Sequence, residues 1–229
     1  FQLSDTKRGF SFDSKNFLNM EMGINKYTAY DVINTLDKEY LANIIKVLGD
    51  EKDGKIIANN IDKYRKKKPI KTSSELAFIV NKAKKNYNSF KKNPATKTFQ
   101  AIRIFVNQEL TELIKGLIAA SNLLPNGGTL VVISFHSLED KIIKNFFNLY
   151  SNLRKNPSRY LPPENKKTNL FKLFSTKPLT PNNKEIKKNP RSRSAKLRYG
   201  IRNNNSFLSA SEFTNRFDNF FKLEGIRLW

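Results

Sequence analysis

The sequence predicts an α/β fold on three observations. Apolar residues recur at helical spacing through the first half of the chain. A Gly127-Gly128 turn then leads into a continuous apolar, β-branched run from Thr129 to Phe135 (TLVVISF). A second helical pattern, Ser137 to Leu149, follows at once. Helix, turn, strand, helix is the order of α/β proteins. An apolar run without alternation predicts a strand covered on both faces.

Residues 1 to 23 have no steady period and read as an ordered loop around Gly9. Leu36, Tyr40, Leu41, Ile44, Ile45 and Leu48 then fall on one helical face, with Asp37 as N-cap and Gly49 as terminator. Ile56, Ile57, Asn60, Ile61 and Tyr64 continue the pattern. Thr72 and Glu75 have capping-box spacing before Leu76, Ile79 and Val80. Residues 24–92 are therefore expected to form a small helical domain. One long helix is expected after Pro94, with a stripe of Phe99, Ile102, Val106, Leu110, Leu113 and Leu117. Residues 150–170, rich in Pro, Asn and Lys, predict a loop. Leu170 to Ser175 and Ala195 to Ile201 read as two late strands, antiparallel to each other, closing a sheet edge. Phe213, Phe217, Phe220 and Phe221 predict a C-terminal helix within residues 203–229.

At 229 residues the chain can hold one large domain or two small ones, and 38% hydrophobic content supports a modest core. No run of about 18 apolar residues predicts a membrane span, and no signal-peptide pattern is present. The first residue is Phe1 rather than Met, so the chain is expected to begin inside a longer protein. The absence of cysteine excludes disulfides, zinc–thiolate sites and thiol nucleophiles, and a single histidine, His136, excludes a multi-histidine metal site.

Forty-two basic residues against 20 acidic ones leave a net charge of +22, a field that attracts polyanions. The excess is concentrated. Between Tyr150 and Asn203 stand 15 Lys or Arg and 2 acids, and a second cluster comprises Lys63, Arg65, Lys66, Lys67, Lys68 and Lys71. Nucleic acid is the expected partner. An anionic membrane is disfavoured, because no amphipathic stretch carries the aromatic face of an interfacial helix.

Four segments carry chemistry. Asn93-Pro-Ala-Thr-Lys-Thr-Phe-Gln-Ala-Ile-Arg103 offers a helix start with free backbone N–H groups and the cations Lys97 and Arg103; an ordinary capped helix explains it as well. Ile133-Ser-Phe-His-Ser-Leu-Glu-Asp140 lies where a strand ends and a helix begins, the place where open α/β sheets bind ligands. There Ser137 and Asp140 have the spacing of a cap and its box partner. No glycine-flanked serine elbow accompanies the histidine, which argues against a Ser-His-Asp hydrolase. Asn189-Pro-Arg-Ser-Arg-Ser-Ala-Lys-Leu-Arg198 brings Arg191, Arg193, Lys196 and Arg198 into a strand; arginine forks match phosphate, although a basic strand also resists edge aggregation. Gln2-Leu-Ser-Asp5 with Arg8-Gly-Phe-Ser-Phe12 is physically only a glycine-containing loop. A glycine-rich nucleotide cradle is absent from the sequence.

In this order the segments resemble the RsmH (MraW) family of 16S rRNA cytosine-N4 methyltransferases, over residues 2 to about 202. The resemblance implies a class I, Rossmann-like methyltransferase fold with an inserted all-helical substrate domain. Residues 1–23 would then end the cofactor half, 24–92 form the substrate-recognition insert, 93–202 the second half and 203–229 a tail. It also implies S-adenosylmethionine as cofactor, no metal, 16S rRNA in the small ribosomal subunit as partner, and a cytoplasmic location, with monomer and homodimer both open. Gln2 falls on the family's cofactor-binding glutamine. His136 and Ser137 are expected to line the target-base pocket, and Lys97, Arg103, Asn107, Arg191, Arg193, Lys196 and Arg198 to hold RNA or brace the site. The family's Gly-Pro-Leu-Asp-Met-Arg-Met-Asp stretch reads Asn16-Phe-Leu-Asn-Met-Glu-Met-Gly23 here, so the roles of those acids and that arginine do not carry over. Its glycine-rich cofactor loop and ribose-binding acid would precede residue 1, and the 229 residues alone are expected to bind cofactor weakly. Two rivals fit the charge: a non-enzymatic RNA-binding or ribosome-assembly module, and a DNA cytosine-N4 methyltransferase. The first leaves the strand ending in Ser-Phe-His-Ser without a purpose.

Overall fold

The computed structural model describes residues 8–23, 25–84, 93–151, 169–209 and 211. The expected C-terminal helix, Gln2 and most of the 150–170 loop lie outside them. The described chain divides between Glu109 and Leu110 into two compact units.

The first unit is helical. After the loop at 8–23 come α1 (Ala29–Thr35), α2 (Lys38–Leu48), α3 (Gly54–Arg65), α4 (Ser73–Ala83) and α5 (Thr96–Val106). Their starts follow the side-chain chemistry. Asp37 accepts hydrogen bonds from the Glu39 and Tyr40 amides, and Thr28 with Asp31 and Thr72 with Glu75 form complete capping boxes. Each helix turns its apolar stripe to one core, which includes Leu41, Ile45, Ile57, Ile61, Leu76, Val80, Phe99 and Ile102. Burying one such side chain contributes roughly 1.5–3 kcal/mol. Through Phe99 and Ile102, α5 belongs to this core, so the boundary expected at 92/93 falls inside the compact unit.

The single long helix expected after Pro94 is two helices. α5 ends at Asn107, and Gln108 takes a left-handed φ of 49° before α6 (Glu109–Leu123) begins. The apolar stripe keeps its phase across this break, which hides it from a periodicity argument.

The second unit contains α6, β1 (Thr129–Ser134), α7 (Ser137–Leu149), β2 (Phe171–Lys172), α8 (Asn183–Lys188) and β3 (Lys196–Arg202). The sheet order is β1-β3-β2, with both pairings antiparallel; Val132 faces Arg198, and Phe171 faces Arg202. The first late strand is shorter than expected. α7 supplies Phe146, Phe147 and Tyr150 to an aromatic cluster completed by Phe171. Gly200 must lack a side chain here, because a Cβ would stand 2.8 Å from Leu173 and 2.9 Å from Phe147. Arg202, 2% exposed, lays its guanidinium over the Phe171 ring and donates to the Ser206 carbonyl. Its Nε and Nη1 are buried without a hydrogen-bond partner, and burial pulls its pKa below the ordinary arginine value.

The expectation that β1 is covered on both faces fails. Leu130 and Ser134 are buried, but Val131 and Ile133 are 53% and 54% exposed. Within the described residues β1 has one covered face and one paired edge. Among the described residues no helix is long and apolar enough to cross a membrane.

Candidate functional site

The carboxyl end of β1 runs directly into α7 through Phe135 and His136. The capping residue is His136, not Ser137, and its box partner is Glu139, not Asp140. His136 has extended backbone angles, and its Nδ1 accepts from the Glu139 amide at 3.3 Å. Glu139 returns the contact, accepting from the Phe135 amide at 2.8 Å and the His136 amide at 3.3 Å. With Nδ1 accepting, the proton-bearing nitrogen is Nε2. That nitrogen lies 3.2 Å from Glu139 Oε1, off the line that a hydrogen bond requires. Burial by itself would raise the Glu139 pKa, but the His136 contact and the two amides outweigh it and hold the carboxyl below its ordinary value. The imidazole is thus occupied in shaping the turn. Ser137 and Phe135 are the exposed side chains there, Phe135 at 57%.

One turn along α7, Asp140 joins the helix to β3. Arg198 Nε donates to it at 2.7 Å and Lys196 Nζ at 3.0 Å. Burial pushes the Asp140 pKa up, yet these two cations override it and hold the carboxyl below its usual range. Arg198 also donates to the Thr176 carbonyl at 2.6 Å, and its side chain is largely buried. Arg198 is thereby tied to Asp140 and the Thr176 carbonyl; Lys196 is paired but half-exposed. Arg191 and Arg193 are fully on the surface, in a one-turn 3₁₀ helix (Pro190–Ser194) whose start is capped by Asn189. No hydrogen bond or ion pair engages either guanidinium within the described residues. Of the expected RNA contacts in this unit, these two are the free cations.

In the helical unit the expected contacts are also tied up. Arg103 makes a bidentate pair with Glu109, at 2.7 and 2.9 Å. The Asn107 amide is saturated: Oδ1 accepts from the Met22 amide at 2.7 Å and from Asn25 at 2.9 Å, while Nδ2 donates to the Met20 and Arg103 carbonyls. Both therefore fix the loop preceding α1 and the end of α5. Lys97 donates to the Asp50 carbonyl at 2.5 Å. At the start of α5, Asn93 Oδ1 accepts from the Ala95 amide at 2.9 Å, but Ala95 itself holds the N-cap position and no side chain caps the helix. The pair that anchors this segment has no local sequence signal. Lys84 and Glu51 are buried against each other, with side chains 7% and 5% exposed, and Lys84 also donates to the Pro94 carbonyl at 2.9 Å. Acid and base lie 33 positions apart in the sequence, with no local pattern to link them.

The described residues do not form a cradle for S-adenosylmethionine. Only two of the described glycines, Gly9 and Gly127, take the left-handed conformation. Gly127 precedes β1, the wrong end of the strand for a ligand in this fold class. Gly9 is closed off, since a Cβ there would lie 2.6 Å from the Phe17 carbonyl oxygen.

A family model described as the MraW methylase family matches residues 1–202. The chain is 47% identical over 204 residues to the ribosomal RNA small subunit methyltransferase H of a Sulfurihydrogenibium species, covering 88% of this chain and 64% of that protein. It is 42% identical over 205 residues to the protein of the same name from Hyphomonas neptunium, with 89% and 60% covered. The Caulobacter protein of that name is 43% identical over 202 residues, with 88% and 63% covered. The chain thus spans about three-fifths of the length of these curated relatives.

Proposed function

The chain belongs to the MraW methylase family, and from that premise we propose that it forms the substrate-facing part of an S-adenosylmethionine-dependent methyltransferase acting on cytosine N4 of 16S rRNA. The observation that carries the reading is the turn at the carboxyl end of β1, with exposed Phe135 and Ser137 held by the His136–Glu139 box. An exocyclic amine conjugated to a pyrimidine ring is a weak nucleophile, so a site must orient it and take up its proton. In this proposal Phe135 offers a ring face to an unstacked base, Ser137 offers a hydroxyl to its polar edge, and His136 holds both in place. Asp140 is a poor proton acceptor, because Arg198 and Lys196 stabilise its charged form. The helical unit takes the part of the substrate-recognition insert, in a class I fold whose cofactor-binding half lies largely outside the 229 residues. Those residues alone then hold cofactor weakly, with Gln2 their one cofactor contact, and the working location is the cytoplasm.

Mapping N4-methylcytidine in the 16S rRNA of a gene-deletion strain tests the activity. Loss of the mark, restored by the whole gene and not by a Ser137→Ala, Phe135→Ala version, supports the reading. An unchanged mark in the deletion strain overturns it. Isothermal titration of S-adenosylmethionine into the 229-residue chain tests the cofactor statement, and tight binding would refute it.

A further inference from the structure

We propose that the corner joining α3 to α4, together with Phe17, is a binding surface for single-stranded RNA, distinct from the β1–α7 turn; this rests on the rRNA reading above and names where a second stretch of that substrate is held. Six cations and two acids lie between Asp62 and Glu75. Both acids are already engaged. Asp62 binds Arg65 at 2.9 Å and Lys66 at 2.7 Å. Glu75 accepts from the Lys71 and Thr72 amides as part of the α4 cap and lies 3.7 Å from Lys68. Lys63, Lys67 and Lys71 are exposed and have no acidic partner among the described residues. A helix C-terminus favours one or two cations in its last turn. The last turn of α3 holds Lys63 and Arg65, so this accounts for those two but not for Lys67 and Lys71, which stand beyond it without an acidic partner among the described residues.

The cations stand on a fixed scaffold. Asn34 clasps Ile70 from both sides, accepting from its amide at 2.9 Å and donating to its carbonyl at 3.0 Å. Arg65 donates to the Ile33 and Leu36 carbonyls at 2.9 and 2.7 Å. The Leu18 amide donates to the Lys71 carbonyl at 2.9 Å, and Phe17 forms an isolated antiparallel bridge with Thr72. Positive charge held in one geometry loses less entropy on binding than charge on a mobile tail.

The same bridge that fixes Lys71 presents an aromatic ring. Phe17 is 50% exposed and stacks at a tilt on Tyr30, with centroids 5.1 Å apart. An exposed ring in the same corner as unpaired lysines is a combination that can bind unpaired nucleotides: phosphates meet the ammonium groups and a base stacks on the ring. An acidic protein would use the charges without the ring, and duplex RNA cannot unstack a base onto it.

The test measures binding of the 229-residue chain to a labelled single-stranded RNA and to an RNA duplex over a range of salt. Replacing Lys63, Lys67 and Lys71 together by Gln should lower the log–log salt slope for the single strand by about 2, at about 0.7 per phosphate. A charge-matched variant at Lys52, Lys55 and Lys144 should leave that slope nearly unchanged. Phe17→Ala should weaken single-strand binding roughly 5- to 150-fold with the slope intact, and Phe17→Trp should retain it. Equal loss in both triple variants, or equal loss of duplex and single-strand binding on Phe17→Ala, overturns the proposal. Circular dichroism identifies a variant that has unfolded, and for Phe17 the Trp replacement then decides. The mapping experiment is separate: a mark lost in the deletion strain together with an inert α3–α4 corner sinks this inference alone, whereas a mark unchanged in the deletion strain sinks the reading on which it rests.

Discussion

Replacing Lys84 by Met isolates one buried charge and should be among the most damaging single changes to the helical unit. The native pair is nearly dry, with Lys84 and Glu51 side chains 7% and 5% exposed. Glu51 keeps one other bond, to the Asp53 amide at 3.2 Å, and Lys84 also donates to the Pro94 carbonyl at 2.9 Å. Among the described residues the variant leaves a carboxylate without a counter-charge and a carbonyl without its lysine donor. Breaking a buried pair from one side costs about 3–5 kcal/mol. With a urea slope of about 2 kcal/mol/M, the midpoint should fall by roughly 2 M. Removing both partners as Glu51→Leu, Lys84→Met removes the stranded charge and should restore most of that loss, because apolar replacements of buried pairs are often neutral. Urea titrations followed by far-ultraviolet circular dichroism supply all four corners of the cycle. A Lys84→Met midpoint within about 0.5 M of the parent, at that slope, would refute the reasoning. So would a double variant less stable than either single one.

Three further outcomes follow from local geometry. Gly9→Ala should lower the melting temperature by the equivalent of 1–2 kcal/mol or more, since φ is +73° and the new Cβ would meet the Phe17 carbonyl at 2.6 Å; Gly116→Ala, helical and open, should instead raise it by about 0.5–1 kcal/mol, and thermal melts showing both changes alike would contradict this. His136→Ala should lose about 0.5–2 kcal/mol of α7 stability as a lost N-cap, and His136→Ser should recover much of it; hydrogen exchange of the Glu139 amide reads the change, and unaltered protection would count against the cap. Asp140 has a depressed folded pKa, so its stabilising contribution is full above the unfolded value of 3.8 and is lost as pH falls through the lower folded value. Asp140→Asn should therefore be less stable at neutral pH and show a flatter acid limb, and parallel stability–pH curves would exclude the Arg198–Lys196 clamp as its cause.

Much of the helical unit was legible because its signals are local. Asp37, the Thr72–Glu75 box and the stripes of α2 to α4 each follow from spacing within one or two turns. The α/β order and the pairing of the late strands also followed from pattern. What escaped was whatever depends on distant partners. The α5–α6 break leaves the apolar phase intact and rests on a non-glycine residue, Gln108, in a left-handed conformation. A uniform apolar run cannot say which faces of β1 are covered. His136 took the capping position from Ser137, although serine is the commoner cap, because its ring nitrogen reaches the Glu139 amide and Glu139 can answer. At the candidate site, sequence found the arginines but not their engagements. Arg103 and Arg198 are held by Glu109 and Asp140, respectively, while Arg191 and Arg193 are not.

The uncovered face of β1 has a colloidal consequence. Val131, Ile133 and Phe135 form a β-branched and aromatic ribbon on a strand whose second edge is unpaired among the described residues, the sort of surface on which identical chains add to one another. The +22 charge opposes that addition, but only across the Debye length, which shrinks from about 30 Å at 0.01 M salt to about 8 Å at 0.15 M. The purified chain should therefore stay dispersed at low ionic strength and cluster as salt is raised, the reverse of ordinary salting-in. Polyanions that neutralise the charge should promote the same clustering unless they also cover the ribbon.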